Sequence, residues 1–337
     1  MKKIITLLLL CVCFLCGCQK ESADTVVDNF DKKVNDTKSY VLKGNMEIYA
    51  DEETFTYSIE VNYLQDNFYK AIMVNQTNNH EQIILRNSDA VYVITPSLNK
   101  SFKFQSDWPN NSSQAYLLSS IVKDMKNDTG KSITEENNQF IIKSSVNYPN
   151  NPNLVKEKIT LDKDLNLKEV KVLSKDNIPY IIFTVSSLDK KAIFADNYFL
   201  LETISKNLNE KTTTEEDAKT TLKIDEALFP LYLPSNTSLK NRETIKTDVG
   251  ERVIMTFAGD NPFILVQETV TREKEFTTIP TSGSPYLLVD TVGALTNGSY
   301  TWISNGIEYY IVSDVMEQNE LLEVAKSINA VPTINEK

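Results

Sequence analysis

Strict alternation of apolar and polar residues over residues 55–63 constrains this chain more than any other feature. In Phe-Thr-Tyr-Ser-Ile-Glu-Val-Asn-Tyr, every odd-numbered position is apolar or aromatic and every even-numbered position is polar. Successive side chains of a strand point to opposite faces of a sheet, so this pattern predicts a half-buried β-strand. A weaker alternation at Leu42, Met46 and Ile48 predicts a strand before it, with residues 51–53 as the polar turn between them.

The rest of the first 200 residues predicts a long antiparallel meander with two helices. Further strands are predicted at Phe68–Val74, Glu81–Leu85, Val91–Thr95, Gln139–Ser144, Glu157–Leu161, Leu167–Leu173 and Tyr180–Val185. A helix is predicted over residues 22–37, capped by Ser22 or Asp24, and an inserted helix over residues 109–127. Strands with one apolar face and close neighbours in sequence predict a curved antiparallel sheet, an open half-barrel with a helical lid.

A polar, charged stretch without periodicity at residues 203–221 predicts an interdomain linker. It separates a first domain at 25–202 from a small α+β domain at 222–334. In the second domain, strands are predicted at Arg252–Phe257, Phe263–Thr269, Ser299–Ser304 and Glu308–Ser313, followed by a helix over residues 315–329. The overall fold class is therefore α+β.

The first 17 residues predict a signal peptide. Two lysines precede an apolar run of about 12 residues, whereas a membrane-spanning helix needs roughly 20. Leu15-Cys16-Gly17-Cys18 resembles the bacterial lipobox, which implies cleavage before Cys18 and lipidation of its sulfur. Residues 18–24 then form a tether, and the protein is expected on the extracytoplasmic face of the cell membrane. The alternative is an ordinary secretory signal in which Cys18 is incidental.

Cysteine usage and charge exclude several kinds of protein. All four cysteines lie at or before Cys18, so a chain cut there has no disulfide framework and no cysteine metal site or nucleophile. The sequence has 35 basic and 46 acidic residues. Without Lys2 and Lys3 it has 33 basic residues and a net charge of −13. That balance argues against nucleic acid as a partner and against docking on an anionic membrane by a basic patch.

Three segments carry a family resemblance: residues 80–87 (HEQIILRN), 91–110 (VYVITPSLNKSFKFQSDWPN) and 113–118 (SQAYLL). With the lipobox and the element order, they resemble LolA/LolB-like lipoproteins, and among these the sporulation and germination lipoproteins of the YdcC and GerS type. The resemblance covers about residues 25–200. Residues 231–234 and 250–257 are similar to a small domain of unassigned function in longer members. The resemblance implies a Gram-positive spore former, and it supplies no catalytic residues.

In a LolA-like fold, the segment before the inserted helix lies where the lid meets the open face of the sheet. Two interpretations of this segment stay open. Its residues form the lip of an apolar cavity for acyl chains or a lipidated peptide, or they fill the seam between sheet and helix. The predicted lip residues are Phe102, Phe104, Trp108, Leu118 and Ile121.

Catalytic and metal chemistry has little support in the sequence. His80 is the single histidine, which excludes a multi-histidine metal site, and its polar surroundings predict a loop or strand-edge position. The acidic runs at 51–53, 135–136 and 215–217 have the composition of solvated turns rather than of calcium loops. No metal site, cofactor or catalytic residue is predicted.

The sequence therefore predicts a lipid-anchored, non-enzymatic lipoprotein that binds an apolar ligand or an envelope protein during sporulation or germination. The alternative is a regulatory or chaperone module, similar in layout to MucB/RseB, that binds a cell-wall enzyme or a signalling protein. A hydrolase is the third and least supported class.

Overall fold

The structure is a computed structural model that describes residues 22–50, 53–109, 113–146, 148, 151, 153–212, 224, 227–248, 250–288 and 291–329. The predicted signal peptide, the lipidation site Cys18 and most of the tether lie outside these residues. Four α-helices are described: α1 (Ala23–Asn35), α2 (Leu118–Asn127), α3 (Leu201–Thr212) and α4 (Gln318–Asn329), with a 3₁₀ turn at Pro96–Leu98. None of these helices is long and apolar enough to cross a bilayer.

The strands in chain order are β1 (Ser39–Ala50), β2 (Glu53–Leu64), β3 (Phe68–Asn75), β4 (Glu81–Arg86), β5 (Val91–Thr95), β6 (Lys100–Phe104), β7 (Ser132–Glu136), β8 (Gln139–Ser145), β9 (Leu154–Asp162), β10 (Leu167–Ser174), β11 (Pro179–Asp189), β12 (Thr237–Lys246), β13 (Glu251–Gly259), β14 (Phe263–Thr269), β15 (Thr277–Thr281), β16 (Ser284–Leu287), β17 (Val292–Leu295), β18 (Ser299–Ser304) and β19 (Ile307–Val312).

The alternating segment forms β2, as predicted. Tyr57, Ile59 and Val61 are buried on one face, and the strand pairs with β1 along its whole length. These strands lie at the centre of a twelve-stranded sheet with the order β15-β6-β5-β4-β3-β2-β1-β11-β10-β9-β8-β7. All its neighbouring pairs are antiparallel except β15 with β6, and the sheet is curved and open. The predicted α+β fold with a curved antiparallel sheet is confirmed.

Helices α1 and α2 pack side by side against one face of this sheet and close the main core. Ser22 caps α1, because its Oγ accepts a hydrogen bond from the backbone N–H of Thr25 at 3.1 Å. The predicted inserted helix is shorter than expected and begins only at Leu118. Ser113 precedes this helix but does not cap it, since its hydroxyl donates to a carboxylate oxygen of Asp124 at 2.9 Å.

The first part of the predicted linker is helical, because residues 203–212 belong to α3. Leu201, Ile204 and Leu208 recur at helical spacing and pack against β4 and β5 on the face of the sheet away from α1 and α2. Residues 213–221 of the predicted linker lie outside the described residues. The domain boundaries themselves stay a prediction.

The second unit is a seven-stranded antiparallel sheet with the order β12-β13-β14-β19-β18-β17-β16. One face packs against α4, whose apolar side chains are buried with those of β13, β14, β18 and β19. These five elements contain the predicted strands and helix of the second unit. β12 and β15–β17 were not predicted.

The two units are joined by a strand and by buried polar contacts. β15 leaves the second unit and adds in parallel to β6, which would otherwise be an open edge of the large sheet. The Gln82 side chain accepts from the backbone N–H of Val292 at 2.6 Å and donates to its carbonyl oxygen at 3.0 Å. Both residues are buried. The second unit therefore completes the first sheet rather than standing apart from it.

Candidate functional site

A cavity of about 640 Å³ lies where the two units meet. Met46 and Ile48 of β1 line it from the first sheet, and Tyr286 and Leu287 of β16 line it from the second. The segment 113–116 before α2 contributes further wall. Pockets that hold small molecules have volumes of about 300–1,000 Å³, so this cavity is large enough for an organic ligand.

Apolar and aromatic residues make up just over half of the lining, and polar residues and two glycines make up the rest. The apolar and aromatic lining residues are Met46, Ile48, Ala115, Tyr116, Tyr148, Leu154, Tyr180, Ile181, Pro285, Tyr286, Leu287, Leu288 and Leu295. Among the described residues that line the cavity, Lys326 of α4 is the one with a charged side chain. Its Nζ lies 2.7 Å from a carboxylate oxygen of Glu323, which is itself exposed. The wall thus combines a broad apolar surface with a single cation.

Two buried carboxylates lie directly behind this wall. Ser113 and Tyr148 line the cavity, and their hydroxyls donate to Asp124 of α2 at 2.9 Å and to Glu157 of β9 at 3.0 Å. Asp124 is 9% exposed and Glu157 is 1% exposed. One oxygen of each, Asp124 Oδ2 and Glu157 Oε2, has no hydrogen-bond partner among the described residues. Such atoms are rare in folded proteins and call for an explanation.

Burial perturbs both acids. Loss of solvent raises the pKa of Asp124 to about 6, against the opposing hydrogen bond from Ser113. Loss of solvent, with repulsion from Asp124, raises the pKa of Glu157 to about 8. The two groups are therefore close enough for the charge of one to disfavour the charge of the other.

The predicted lip residues lie in the main core, whereas the cavity lies elsewhere in the structure. Phe102, Phe104, Trp108, Leu118 and Ile121 are all buried. None of them lines the 640 Å³ cavity or the smaller one between α1 and α2. Trp108 packs edge-on against Tyr69, with ring centroids 6.1 Å apart. Their burial matches the alternative interpretation, in which they fill the seam between sheet and helix.

The remaining sequence candidates do not converge on a site. His80 lies in the loop before β4, and burial lowers the pKa of its imidazole. Glu135 is on the exposed edge strand β7, where it pairs with Lys163 at 2.5 Å. Residues 51–52 and 215–217 lie outside the described residues. Across the described part of the chain, no three His, Cys, Asp or Glu side chains are grouped as a metal site.

Asp124 and Glu157 were not among the predicted site residues, although the sequence contains a signal for both. Asp124 lies on the buried face of α2, between Ile121 and Met125. Glu157 is in phase with the buried Ile159 and Leu161 of β9. A charged residue at a position where the periodicity requires an apolar one is unusual, because acids are almost never buried without partners. This mismatch between charge and periodicity is the sequence signal that singles out both residues.

A curved open sheet meets a second unit, and the cavity lies between the two, which is a common position for small-molecule pockets in proteins. The chain belongs to the family of the sporulation protein YdcC of Bacillus subtilis. The two are 34% identical over 324 residues, which cover 95% of this chain and 94% of that protein. This confirms the resemblance that the sequence motifs indicated. No family model matches the sequence.

Solved structures show only distant similarity. The MucA/MucB complex of Pseudomonas aeruginosa has a chain with 11% identity and a TM-score of 0.33, which covers 88% of this chain and 96% of its own. The CwlD amidase of Clostridioides difficile in complex with the GerS lipoprotein contains a chain with 13% identity and a TM-score of 0.30. That match covers 53% of this chain and 99% of the other. Because these scores are below 0.5, the family assignment rests on the sequence relative alone.

Proposed function

We propose that this chain is a lipid-anchored, non-enzymatic binding protein of sporulation that takes an amphiphilic ligand into the cavity between its two units. The anchor is the lipid on Cys18, which places the protein on the extracytoplasmic face of the cell membrane. The role in sporulation is proposed from the name of its relative YdcC. The cavity is the observation that carries the binding proposal.

The lining supports a ligand with an extended apolar part and one anionic group. An acyl chain buries well against side chains such as Ile48, Leu154 and Leu287, at about 0.8 kcal/mol for each methylene group. A single anionic head group complements Lys326, whose partner Glu323 is largely exposed and therefore weakly held. A fatty acid or a phospholipid has this chemistry.

Native mass spectrometry of the soluble fragment 19–337 tests the proposal first. We expect an amphiphile to co-purify and to be released on denaturation. Binding is then measured by titration with a fatty acid and with the fatty alcohol of the same chain length. Lys326→Met should weaken fatty acid binding about tenfold and leave alcohol binding unchanged, whereas Lys206→Met, at an exposed lysine of α3, should change neither.

A second variant tests the location of the ligand. Leu287→Trp adds bulk inside the cavity and should lower the affinity for both amphiphiles at least about tenfold. Leu239→Trp makes the same change on the exposed edge strand β12 and serves as the control. A ligand-free protein that binds neither amphiphile, or equal binding by all variants, would refute the proposal.

A different observation favours a second candidate function, the binding of a partner protein. β12 is the edge strand of the seven-stranded sheet, and nine of its ten residues are exposed. An exposed edge presents unpaired N–H and C=O groups that can pair with an added strand. On the sheet face away from α4, Ile254, Val266 and Tyr310 are in register across three strands and only partly buried.

The charge of this edge favours an acidic partner. β12 contains Lys240, Arg242 and Lys246 against Glu243, a local charge of +2 in a chain whose net charge is −11. The second candidate is therefore an extended acidic segment of a partner protein added alongside β12. A photo-crosslinker at Ile245 in sporulating cells should capture such a segment, and mass spectrometry should map it. Lys240→Glu with Lys246→Glu should abolish the crosslink, whereas Lys206→Glu should not. Crosslinking that survives the double charge reversal would refute this candidate.

A further inference from the structure

The carboxylates of Asp124 and Glu157 are an unusual pair to bury in a protein core. They come from α2 and β9, two elements whose other buried positions are mostly apolar. Moving an unpaired carboxylate out of water costs several kcal/mol, so a buried acid is normally paired with a cation or protonated. The exposed Lys123, which immediately precedes Asp124 in α2, is a positive charge that acts on Asp124, and its effect is smaller than that of burial.

Protonation alone does not account for the hydrogen bonds. Each carboxylate already accepts one bond, from Ser113 or from Tyr148, through one of its oxygens. If the second oxygen carried a proton, its O–H would be a buried donor in need of an acceptor. Neither Asp124 Oδ2 nor Glu157 Oε2 has a partner of any kind among the described residues. The two oxygens therefore lack a partner in either protonation state, because a bare oxygen has no donor and a protonated one has no acceptor.

In the described part of the chain, the groups that bond to the two carboxylates are hydroxyls. The hydroxyls of Ser113 and Tyr148 contact the carboxylates directly. Ser144 lies opposite Glu157 in the β8–β9 pairing, and its hydroxyl donates to the backbone carbonyl of Asp124 at 3.4 Å. Carboxylate and hydroxyl oxygens without nitrogen or sulfur are the ligand set of hard divalent cations, and Ca²⁺ accepts six to eight such ligands, water included.

We propose that Asp124 and Glu157 form the core of a binding site for a hard divalent cation, Ca²⁺ in the first instance, behind the cavity wall. Two carboxylates balance one dication, so the buried cluster becomes neutral when the ion binds. Because Ser113 and Tyr148 belong both to this cluster and to the wall, the ion also fixes their positions in the cavity. The site goes beyond the proposed amphiphile function and does not depend on it.

Calorimetric titration of the full-length chain, purified in mild detergent with EDTA and then desalted, tests the site with Ca²⁺. We expect one ion per chain. Tb³⁺ is the second probe, since it takes the same ligands and emits when a nearby tyrosine transfers excitation to it. Tyr148 and the buried Tyr116 are the expected donors, and Ca²⁺ should displace the emission.

Variants separate this site from incidental ion binding. Glu157→Gln and Asp124→Asn keep the shape and remove one charge each, and either should lower the Ca²⁺ affinity at least about tenfold. Glu135→Gln makes the same change on the exposed strand β7 and should leave the affinity within about twofold. Tyr148→Phe is the alternative test if a charge variant does not fold, and this substitution should reduce the Tb³⁺ emission.

Several results would overturn the proposal. One is no Ca²⁺ or Tb³⁺ binding by the wild type, which means that protons alone neutralise the pair. Another is a folded Glu157→Gln or Asp124→Asn chain whose Ca²⁺ affinity equals that of the wild type. A third is Tb³⁺ emission that Tyr148→Phe leaves unchanged. Failure of the amphiphile titration alone leaves this inference intact, because the two experiments use different ligands and different variants.

Discussion

Removal of the Gln82 side chain is the sharpest test of how the two units are joined. Its Oε1 accepts from the backbone N–H of Val292 at 2.6 Å and from the Thr291 hydroxyl at 3.2 Å, and its Nε2 donates to the Val292 carbonyl at 3.0 Å. One side chain thus satisfies both backbone groups of a buried residue in the other unit. We expect Gln82→Ala to weaken the junction strongly.

The size of the effect follows from the groups left without partners. The Thr291 hydroxyl keeps a second acceptor, the carbonyl of Ile303 at 2.8 Å, so it is not stranded. The N–H and C=O of Val292 lose their partners, at about 1–3 kcal/mol for each buried group. Entry of water recovers part of this loss. We therefore expect Gln82→Ala to lower the free energy of unfolding by about 2–4 kcal/mol.

Urea denaturation followed by circular dichroism measures this change. Gln76→Ala is the matched control, because Gln76 is an exposed glutamine near the same sheet whose side chain donates a hydrogen bond to the Asn45 side chain at 3.3 Å. The control should change stability by no more than about 0.5 kcal/mol. A loss below about 1 kcal/mol for Gln82→Ala, or equal losses for the two variants, would refute the role given to Gln82.

Three further predictions concern single positions. Because burial lowers the pKa of His80, the imidazole resonance of this single histidine should titrate by NMR with a midpoint below 6.5, and a midpoint at or above 6.5 would contradict its burial. Gly44→Ala should lower thermal stability markedly, since its Cβ would lie 2.4 Å from the Thr184 carbonyl oxygen, whereas Gly130→Ala should not. Trp108→Ala should lower the free energy of unfolding in urea by about 3–5 kcal/mol, while fatty acid binding by the folded fraction stays unchanged. A Trp108→Ala chain that keeps its stability but no longer binds fatty acid would instead support Trp108 as a residue of the cavity lip.

The parts of the fold that the sequence predicted are those whose burial follows from local periodicity. β2 alternates strictly because one face is buried, and the helix at Gln318–Asn329 shows its apolar stripe for the same reason. β12 has no such pattern, because nine of its ten residues are exposed and no buried face requires an apolar side chain at every second position. α3 was hidden by charged residues on its outer face, although Leu201, Ile204 and Leu208 keep helical spacing.

The candidate site was beyond prediction for a different reason. Its walls come from segments far apart in the chain, such as Ile48 of β1, Tyr116 before α2 and Tyr286 of β16. No local pattern records that these side chains meet. The predicted lip was a set of aromatic and aliphatic residues within 20 positions of one another, which is visible in a sequence, but such residues at the seam between a sheet and a helix also form a core.

The parallel pairing of β15 with β6 explains why the cavity lies where it does. It covers an edge of the large sheet with a strand that is more than 170 residues away in sequence, and so it fixes the second unit against the first. The segment that follows β15 then runs into Ser284 and Leu287, which form one side of the cavity. A ligand in this cavity therefore contacts both units and stabilises the junction that Gln82 makes, by an amount that grows with its concentration. Under the proposed function, ligand binding is therefore linked to the union of the two units, so a bound amphiphile should raise the stability of the Gln82→Ala chain as well as that of the wild type.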